Sequence, residues 1–249
     1  MDPATLLATA DGDARTLLAA AETDWERPVT QCPGWDTADL VRHTGGIFEW
    51  MAAIAASGAR VSRHSLDPAP ADPVDLPAWY LDGLHRVVSV LGSADPDTRT
   101  WTFSTTGDGT VRWWCRRLAV EVAIHRWDAQ DGATAASGPG RSTPQPLDGA
   151  VAAAGIGEFV VEFLPGLLTR DDVEGLTGLL HLYATDGPGE WWVDLDRPGV
   201  APSIRTPADL GVRGTRSDLL LWLTNRLPLP TIEVVGDDDV AVRWGQLRR

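Results

Sequence analysis

The sequence predicts an α+β protein with two domains, a helical bundle over residues 1–168 and a small α+β domain over residues 169–249. The first half contains four amphipathic segments joined by turn-rich loops, a pattern typical of a helix bundle. After Leu168 the pattern changes to short strand-like segments around a turn signal. A length of 249 residues and a hydrophobic content of 43% are sufficient for a buried core.

Four helices are predicted in the first half. The first is rich in Leu and Ala, and the second begins after Pro33-Gly34-Trp35 with Asp36 or Thr37 as its N-cap. A Pro/Asp-rich loop precedes the third helix, and a polar Gly/Thr stretch precedes the fourth. The predicted helices cover residues 4–23, 37–57, 76–91 and 111–130.

The second half begins with a connection over residues 132–146, which is rich in Ala, Ser, Gly and Pro. A helix over 147–163 follows, and another is predicted over 217–225. Strand-like segments at 177–185 and 190–196 flank the turn signal Asp186-Gly187-Pro188-Gly189. Two further strands are predicted at 231–235 and 240–244, around an acidic turn.

Composition excludes several functional classes. A formal net charge of −14 disfavours nucleic acid and anionic membranes as partners, because both are polyanions. No apolar stretch of about 18 residues predicts a membrane span, and the N-terminus does not resemble a signal peptide. Two cysteines are too few for a disulfide framework. We therefore expect a cytoplasmic protein.

A Glu-x-x-x-His pair, Glu121 and His125, lies on the fourth predicted helix. Side chains four residues apart share one helix face, a spacing that suits two ligands of one metal. Such a pair alone is typical of a solvated surface. On the helical wheel, however, Trp114 and Leu118 share this face, and an ionised carboxylate facing the core needs a cation or a hydrogen-bonding network. The far side is predicted to carry Arg112, Arg116 and Arg126.

His43 on the second predicted helix supplies a third group. It shares its face with apolar side chains at spacings of −3, +4, +7 and +11, so it also points inward. Two imidazoles and one carboxylate are a common catalytic zinc set that leaves a fourth position open, and non-haem iron is the chemical alternative. Asp128 is a candidate acceptor that orients the His125 imidazole, unless it pairs with a nearby arginine.

The remaining histidines and cysteines are weaker candidates. His64 lies in a polar loop, His85 lies at the margin of an apolar helix face, and His181 alternates with apolar residues on a predicted strand. Cys32 precedes a proline and Cys115 lies beside the apolar stripe of the fourth helix. Structural roles are predicted for these five residues.

Two segments resemble the signatures of the mycothiol-dependent maleylpyruvate isomerases, a family within the DinB-like metal-binding superfamily. They are CPGWDTADLVRH at residues 32–43 and EVAIHRWD at residues 121–128. Residues 180–196 and 211–226 resemble the small sterol-carrier-like domain that follows in this family. The resemblance covers nearly the whole chain and is more specific for the superfamily than for one reaction.

The resemblance implies that His43, Glu121 and His125 bind zinc on a DinB-like four-helix bundle, and that mycothiol binds near the metal as a thiolate. In an isomerase the thiolate would add to maleylpyruvate and leave after bond rotation, which gives fumarylpyruvate. In a thiol transferase it would stay attached to the electrophile. Arg226 is the candidate for contacting an anionic substrate, and capping of a helix end is its alternative role. The family often has glycine before this arginine, where this chain has Asn225.

The sequence therefore predicts a zinc- and mycothiol-dependent enzyme that acts on a small electrophile, by cis–trans isomerisation or by S-transfer. Two alternatives remain open. One is a metal-bound module that binds a small molecule or a protein without turnover, for which a closed four-ligand site would be typical. The other is a hydrolase in which zinc activates water.

Overall fold

A computed structural model describes residues 1–107, 109–136, 143–168, 176–197, 208–227, 232–236 and 238–246. The chain divides into two compact units, Met1–Pro146 and Leu147–Arg249. Helices form the first unit, and the second combines helices with a mixed sheet. The predicted two-part α+β architecture is confirmed, whereas the DinB-like and sterol-carrier-like details stay predictions.

Four long helices pack together in the first unit. They are α1 (Pro3–Ala21), α2 (Thr37–Ser57), α3 (Leu76–Ser93) and α4 (Val111–Ala136). The largest contacts join α1 to α4 and α2 to α3, and smaller ones join α1 to α3 and α2 to α4. These four helices were all predicted, and α4 continues into the predicted connection, part of which lies outside the described residues.

Local sequence signals determine the bounds of α2. The Asp36 side chain accepts a hydrogen bond from Asp39 N, and the Asp39 side chain accepts one from Asp36 N, which forms a reciprocal N-terminal cap. At the other end, Gly58 adopts φ 69° and its N–H bonds to Ile54 O. This left-handed conformation is the reason that a glycine ends the helix.

The second unit contains a four-stranded mixed sheet in the order β2-β1-β3-β4. Its strands are β1 (Leu179–Ala184), β2 (Glu190–Asp194), β3 (Leu210–Gly214) and β4 (Glu233–Gly236). β1 pairs antiparallel with β2 and parallel with β3, and β3 pairs antiparallel with β4. The helices are α5 (Gly149–Glu158), α6 (Leu164–Leu168), α7 (Arg216–Leu223) and α8 (Asp238–Gln246), with a π-helical turn at Phe159–Phe163.

The core of the second unit lies on one face of this sheet. Leu180 and Leu182 of β1 and Val212 of β3 are fully buried, whereas Tyr183 on the opposite face is exposed. Helix α7 contacts β1, β3 and α5. The stretch Gly149–Leu168 is long and apolar enough to cross a membrane by length and composition alone, with a hydropathy of 1.6. This stretch is 39% buried in the structure, and its α5 segment packs against α7.

One secondary-structure prediction in the second unit was wrong, and one strand was not predicted. The predicted strand at 240–244 is part of helix α8, with Val240, Ala241 and Trp244 buried. These positions fall on one helical face, and a segment this short also fits a strand pattern. The structure also contains β3, which the Gly-containing segment at 210–214 did not indicate.

The units divide at a different place from the predicted boundary between residues 168 and 169. Pro146 ends the first unit, and α5 belongs with the second, where it contacts α7. The Leu147 N–H donates to Ser217 Oγ at 3.0 Å, a bond within the second unit. The apolar surface of α5 is buried by this packing, which the sequence pattern of the first half does not reveal.

Arg126, which the helical wheel placed on the far side of α4 from Glu121, is buried there and is only 2% exposed. Its guanidinium forms an ion pair with Asp13 of α1 at 3.0 Å and donates to the carbonyl oxygens of Gln145 and Pro146. Burial lowers the pKa of Arg126, and Asp13 opposes that shift. The contact with α1 buries this side of α4, so Arg126 and Asp13 form a structural ion pair within the first unit.

Candidate metal centre

Three of the predicted ligands converge in the first unit. His43 Nε2 lies 3.4 Å from Glu121 Oε1, and His125 Nε2 lies 3.3 Å from the same oxygen. The three ligand atoms all lie within 4.8 Å of one another. His43 and Glu121 are half-buried and His125 is buried, so the cluster is shielded but accessible.

Helices α2 and α4 bring these side chains together. His43 and Trp50 lie seven residues apart on α2, and Trp114 and Glu121 lie seven residues apart on α4. The rings of Trp50 and Trp114 are 5.4 Å apart, while His43 contacts Glu121. The earlier residue on α2 thus contacts the later residue on α4, and the later contacts the earlier. The two helices therefore run antiparallel at this point, and their predicted inward faces are in contact.

The two oxygens of Glu121 have different partners. Oε1 faces both histidines, and Oε2 forms an ion pair with Nη2 of Arg117, one turn earlier on α4. Arg117 was not singled out in the sequence, although its spacing of four residues from Glu121 is a helix-pair signal. The ion pair fixes the carboxylate so that one oxygen is presented to the two imidazoles.

Asp128 forms a hydrogen bond with the His125 ring. Its Oδ2 lies 3.0 Å from His125 Nδ1, and the residue is 1% exposed. Because an ionised carboxylate only accepts hydrogen bonds, His125 Nδ1 carries the proton in this contact. In a neutral imidazole Nε2 then has a free lone pair, and it faces a second acceptor, Glu121 Oε1, at 3.3 Å. Two acceptors at this distance need a proton or a metal ion between them.

The donor set fits a metal ion. Metal–ligand distances of about 2.0–2.1 Å in tetrahedral zinc sites separate neighbouring ligand atoms by about 3.3–3.4 Å. The two measured distances to Glu121 Oε1, 3.4 Å and 3.3 Å, agree with this separation. Two imidazoles and one carboxylate also match the chemistry of zinc and non-haem iron sites.

The surroundings of His43 keep its imidazole neutral. Burial, followed by repulsion from His125 and then from Arg63, lowers the pKa of His43 to about 3. The ring lies against Trp35, with centroids 4.8 Å apart. A neutral imidazole at pH 7 is the form that binds metals, because its nitrogen lone pair is free.

Trp35 and Cys32 reach the cluster on a tight turn before α2. Trp35 N donates to Cys32 O at 3.0 Å, and Gly34 has φ 87°. Proline in the second position and a left-handed glycine in the third are the features of a type II turn, which Cys32-Pro33-Gly34-Trp35 satisfies. Cys32 Sγ lies 4.0 Å from Asp128 Oδ2. Together with His125 and Asp128 it forms a second group of metal-ligand type.

Two other candidates, Arg226 and His85, are not part of the group formed by His43, Glu121 and His125. Arg226 belongs to the second unit, where its Nη1 donates to Thr224 O at 2.8 Å at the end of α7. The preceding Asn225 has φ 59°, and asparagine is the residue other than glycine that most readily adopts this conformation. His85 is exposed, and its Nε2 lies 3.1 Å from Arg15 Nη2.

The predicted structural roles of the remaining residues are consistent with their surroundings. Cys115 is buried, and burial raises its pKa to about 11. His181 stacks on Trp192 with centroids 3.9 Å apart, and its Nε2 lies 2.9 Å from Glu190 Oε1. His64 is exposed on the loop after α2.

Fold and site together define a two-unit α+β protein whose four-helix unit carries two histidines and a glutamate in metal-ligand geometry. The family model of the mycothiol maleylpyruvate isomerase N-terminal domain matches residues 7–130, which include all of these groups. Residues 7–130 therefore form a domain of this family, as the two signatures predicted.

A solved structure supports the same relationship at the level of the fold. The crystal structure of a mutant of the mycothiol-dependent maleylpyruvate isomerase matches with a TM-score of 0.58 and 10% sequence identity. The match covers 94% of this chain and 93% of that chain, so the similarity in fold includes both units of this chain. No curated protein matches the sequence.

Proposed function

We propose that this protein is a metal- and mycothiol-dependent enzyme that acts on a small electrophile, by cis–trans isomerisation of a maleylpyruvate-like substrate or by transfer of the thiol. The convergence of His43 Nε2, His125 Nε2 and Glu121 Oε1 carries this proposal. Membership of the mycothiol maleylpyruvate isomerase family supports the thiol. We expect the protein to act in the reducing cytoplasm, where low-molecular-weight thiols are available.

The three side chains would hold one divalent cation, and zinc fits the donor set with iron as the alternative. Bound there, the cation would lower the pKa of a thiol at the open position, which supplies a thiolate nucleophile at neutral pH. Asp128 holds the proton of His125 on Nδ1, so that Nε2 points its lone pair at the site. Arg117 holds the far oxygen of Glu121 and leaves the near one free to bind.

The metal is tested by elemental analysis of the purified full chain. We expect one equivalent of zinc in the wild type, and loss of it in the variants His43→Ala, Glu121→Gln and His125→Ala. His85→Ala is the matched control, because this histidine is exposed on α3 and far in sequence from the cluster. One full metal equivalent in all three ligand variants would overturn the assignment.

The reaction is tested with maleylpyruvate in the presence and absence of mycothiol. An isomerase gives a trans product without sulfur, and a transferase gives a product that keeps the thiol. Turnover of an ester without thiol would instead indicate a hydrolase that uses metal-activated water. Tight metal binding without turnover of any electrophile would indicate a binding module.

Arg226 is proposed as the residue that contacts an anionic group of the substrate, on the basis of the family resemblance and the fork geometry of its guanidinium. Its hydrogen bond to Thr224 O supports helix capping as the competing role. Arg226→Met should raise KM or lower kcat by about tenfold or more while the metal content stays unchanged. Unchanged kinetics would assign Arg226 to capping alone.

A further inference from the structure

Arg63 lies beside the metal centre without a carboxylate partner in the part of the chain that the structure describes. It belongs to a short 3₁₀ turn, Arg63–Ser65, in the loop after α2. Its guanidinium carbon lies 4.4 Å from the ring centroid of Trp50, a cation–π contact that holds the charged group in place. The residue as a whole is exposed, while its guanidinium is partly buried.

The contact with Trp50 places Arg63 on the same side of the helix pair as Arg117. Trp50 contacts Trp114, and Arg117 follows Trp114 by three residues on α4, which is less than one turn. Burial of the Arg63 guanidinium, and after it the charge of Arg117, lowers the pKa of Arg63. The two guanidinium groups therefore repel each other across the space next to the cluster.

The formal charges of the side chains around the cluster cancel, because Arg63 and Arg117 are matched by Glu121 and Asp128. Glu121 is engaged with Arg117 and both histidines, and Asp128 is engaged with His125. With a divalent cation bound there, Arg63 therefore adds a positive charge that the neighbouring carboxylates do not neutralise. A small anion bound between the two arginines would do so, and the planar fork of arginine matches the two oxygens of a carboxylate.

A second arginine provides an internal comparison. Arg60 repeats the stacking contact, with its guanidinium carbon 5.7 Å from the ring centroid of Trp101. Repulsion from Arg63 and Arg117 acts on His43, whereas Arg60 is not among the charges that shift it. Stacking on tryptophan alone thus does not mark a site, and the position of Arg63 near Arg117 is the distinguishing feature.

We propose that Arg63 is a specificity-determining residue that binds a carboxylate of the substrate beside the His43–Glu121–His125 cluster. This inference rests on the proposed function for the identity of the ligand, and it assigns to Arg63 the contact with a carboxylate of the substrate named there. Arg117 contributes charge to the same subsite while it remains paired with Glu121.

The test is isothermal titration of the zinc-loaded full chain with maleate, and with its neutral dimethyl ester as the comparison, in the absence of thiol. We expect the wild type to prefer maleate, and Arg63→Met to bind maleate about 10- to 100-fold more weakly. Binding of the ester should not change. Arg60→Met is the matched control and should bind maleate like the wild type, and all three proteins should contain the same amount of zinc.

Equal maleate affinity in the wild type and the Arg63→Met variant overturns the subsite, and so does a wild type that does not distinguish maleate from the ester. Failure of the proposed function is a separate result, namely no product from the wild type with mycothiol and maleylpyruvate. An Arg63-dependent preference for maleate in a protein without that activity would leave the anion subsite in place and refute only the thiol chemistry.

Discussion

Replacing Asp128 by asparagine removes a negative charge from the interior of the first unit while it keeps the shape of the side chain. Asp128 Oδ2 lies 3.0 Å from His125 Nδ1, and the residue is 1% exposed. A hydrogen bond that involves a charged group contributes about 1.5–3 kcal/mol, which is about 10- to 150-fold in an equilibrium constant. Loss of an outer partner of a metal-bound histidine typically lowers metal affinity by about 10- to 100-fold. We therefore expect Asp128→Asn to bind zinc about 10- to 100-fold more weakly than the wild type.

Competition with a chromophoric chelator at pH 7 measures this change in zinc affinity. Asp82→Asn on α3 is the control, because Asp82 is exposed and its replacement removes the same charge from the surface. Urea unfolding of the metal-free proteins separates an effect on the ligand from a general loss of stability, since we expect the free energy of unfolding to change by less than about 2 kcal/mol. A zinc affinity equal to that of the wild type would refute the reasoning that Asp128 orients His125.

Three further predictions concern other parts of the first unit. Cys32→Ala should keep one zinc equivalent and change zinc affinity by less than about threefold, as measured with the same chelator; loss of the metal would make the thiol a ligand. Asp13→Ala should lower the free energy of unfolding by about 3 kcal/mol in urea, because it leaves the buried charge of Arg126 unpaired; a change below about 1 kcal/mol would contradict this. Gly58→Ala should destabilise the protein by about 1 kcal/mol, because Gly58 has φ 69°. Gly46→Ala should stabilise the protein by about 0.5–1 kcal/mol, because Gly46 lies inside α2 with open space at its Cβ position. If the two variants shift the midpoint of thermal unfolding in the same direction, these different roles of the two glycines are wrong.

Local signals in the sequence were sufficient for the helices that build the cluster. Asp36 and Gly58 mark the ends of α2 through capping contacts between near neighbours, so tertiary structure was not needed to find them. The helical period also placed Glu121 and His125 on the inward face of α4, and both side chains contact His43 in the structure. The face of each helix is a local property, and the meeting of the two faces follows from burial of their apolar stripes.

Contacts between distant segments were not predictable in the same way. The helical wheel placed Arg126 on the far side of α4, but it did not indicate that Arg126 is buried there in an ion pair with Asp13 of α1 and a hydrogen bond to Gln145 O. The segment 240–244 fits both a strand and a helix pattern, and its burial in the second unit selects the helix. No sequence pattern indicated a role for Arg63, because residues in a loop follow no helical or strand periodicity. Its position follows only from its contact with Trp50.

The two groups of metal-ligand type share His125 but use opposite nitrogens of its ring. A metal on Nε2 needs the proton on Nδ1, where Asp128 accepts it, whereas a metal bound by Cys32, Asp128 and Nδ1 would need the proton on Nε2, facing Glu121. Zinc bonds of about 2.3 Å to sulfur and about 2.1 Å to oxygen separate those two ligand atoms by about 3.6 Å. Cys32 Sγ and Asp128 Oδ2 are 4.0 Å apart, while the two distances to Glu121 Oε1 in the other group agree with the tetrahedral value. These distances favour the group that uses Nε2, and a metal bound there would leave Asp128 as an acceptor for His125 and the thiol of Cys32 outside the coordination shell.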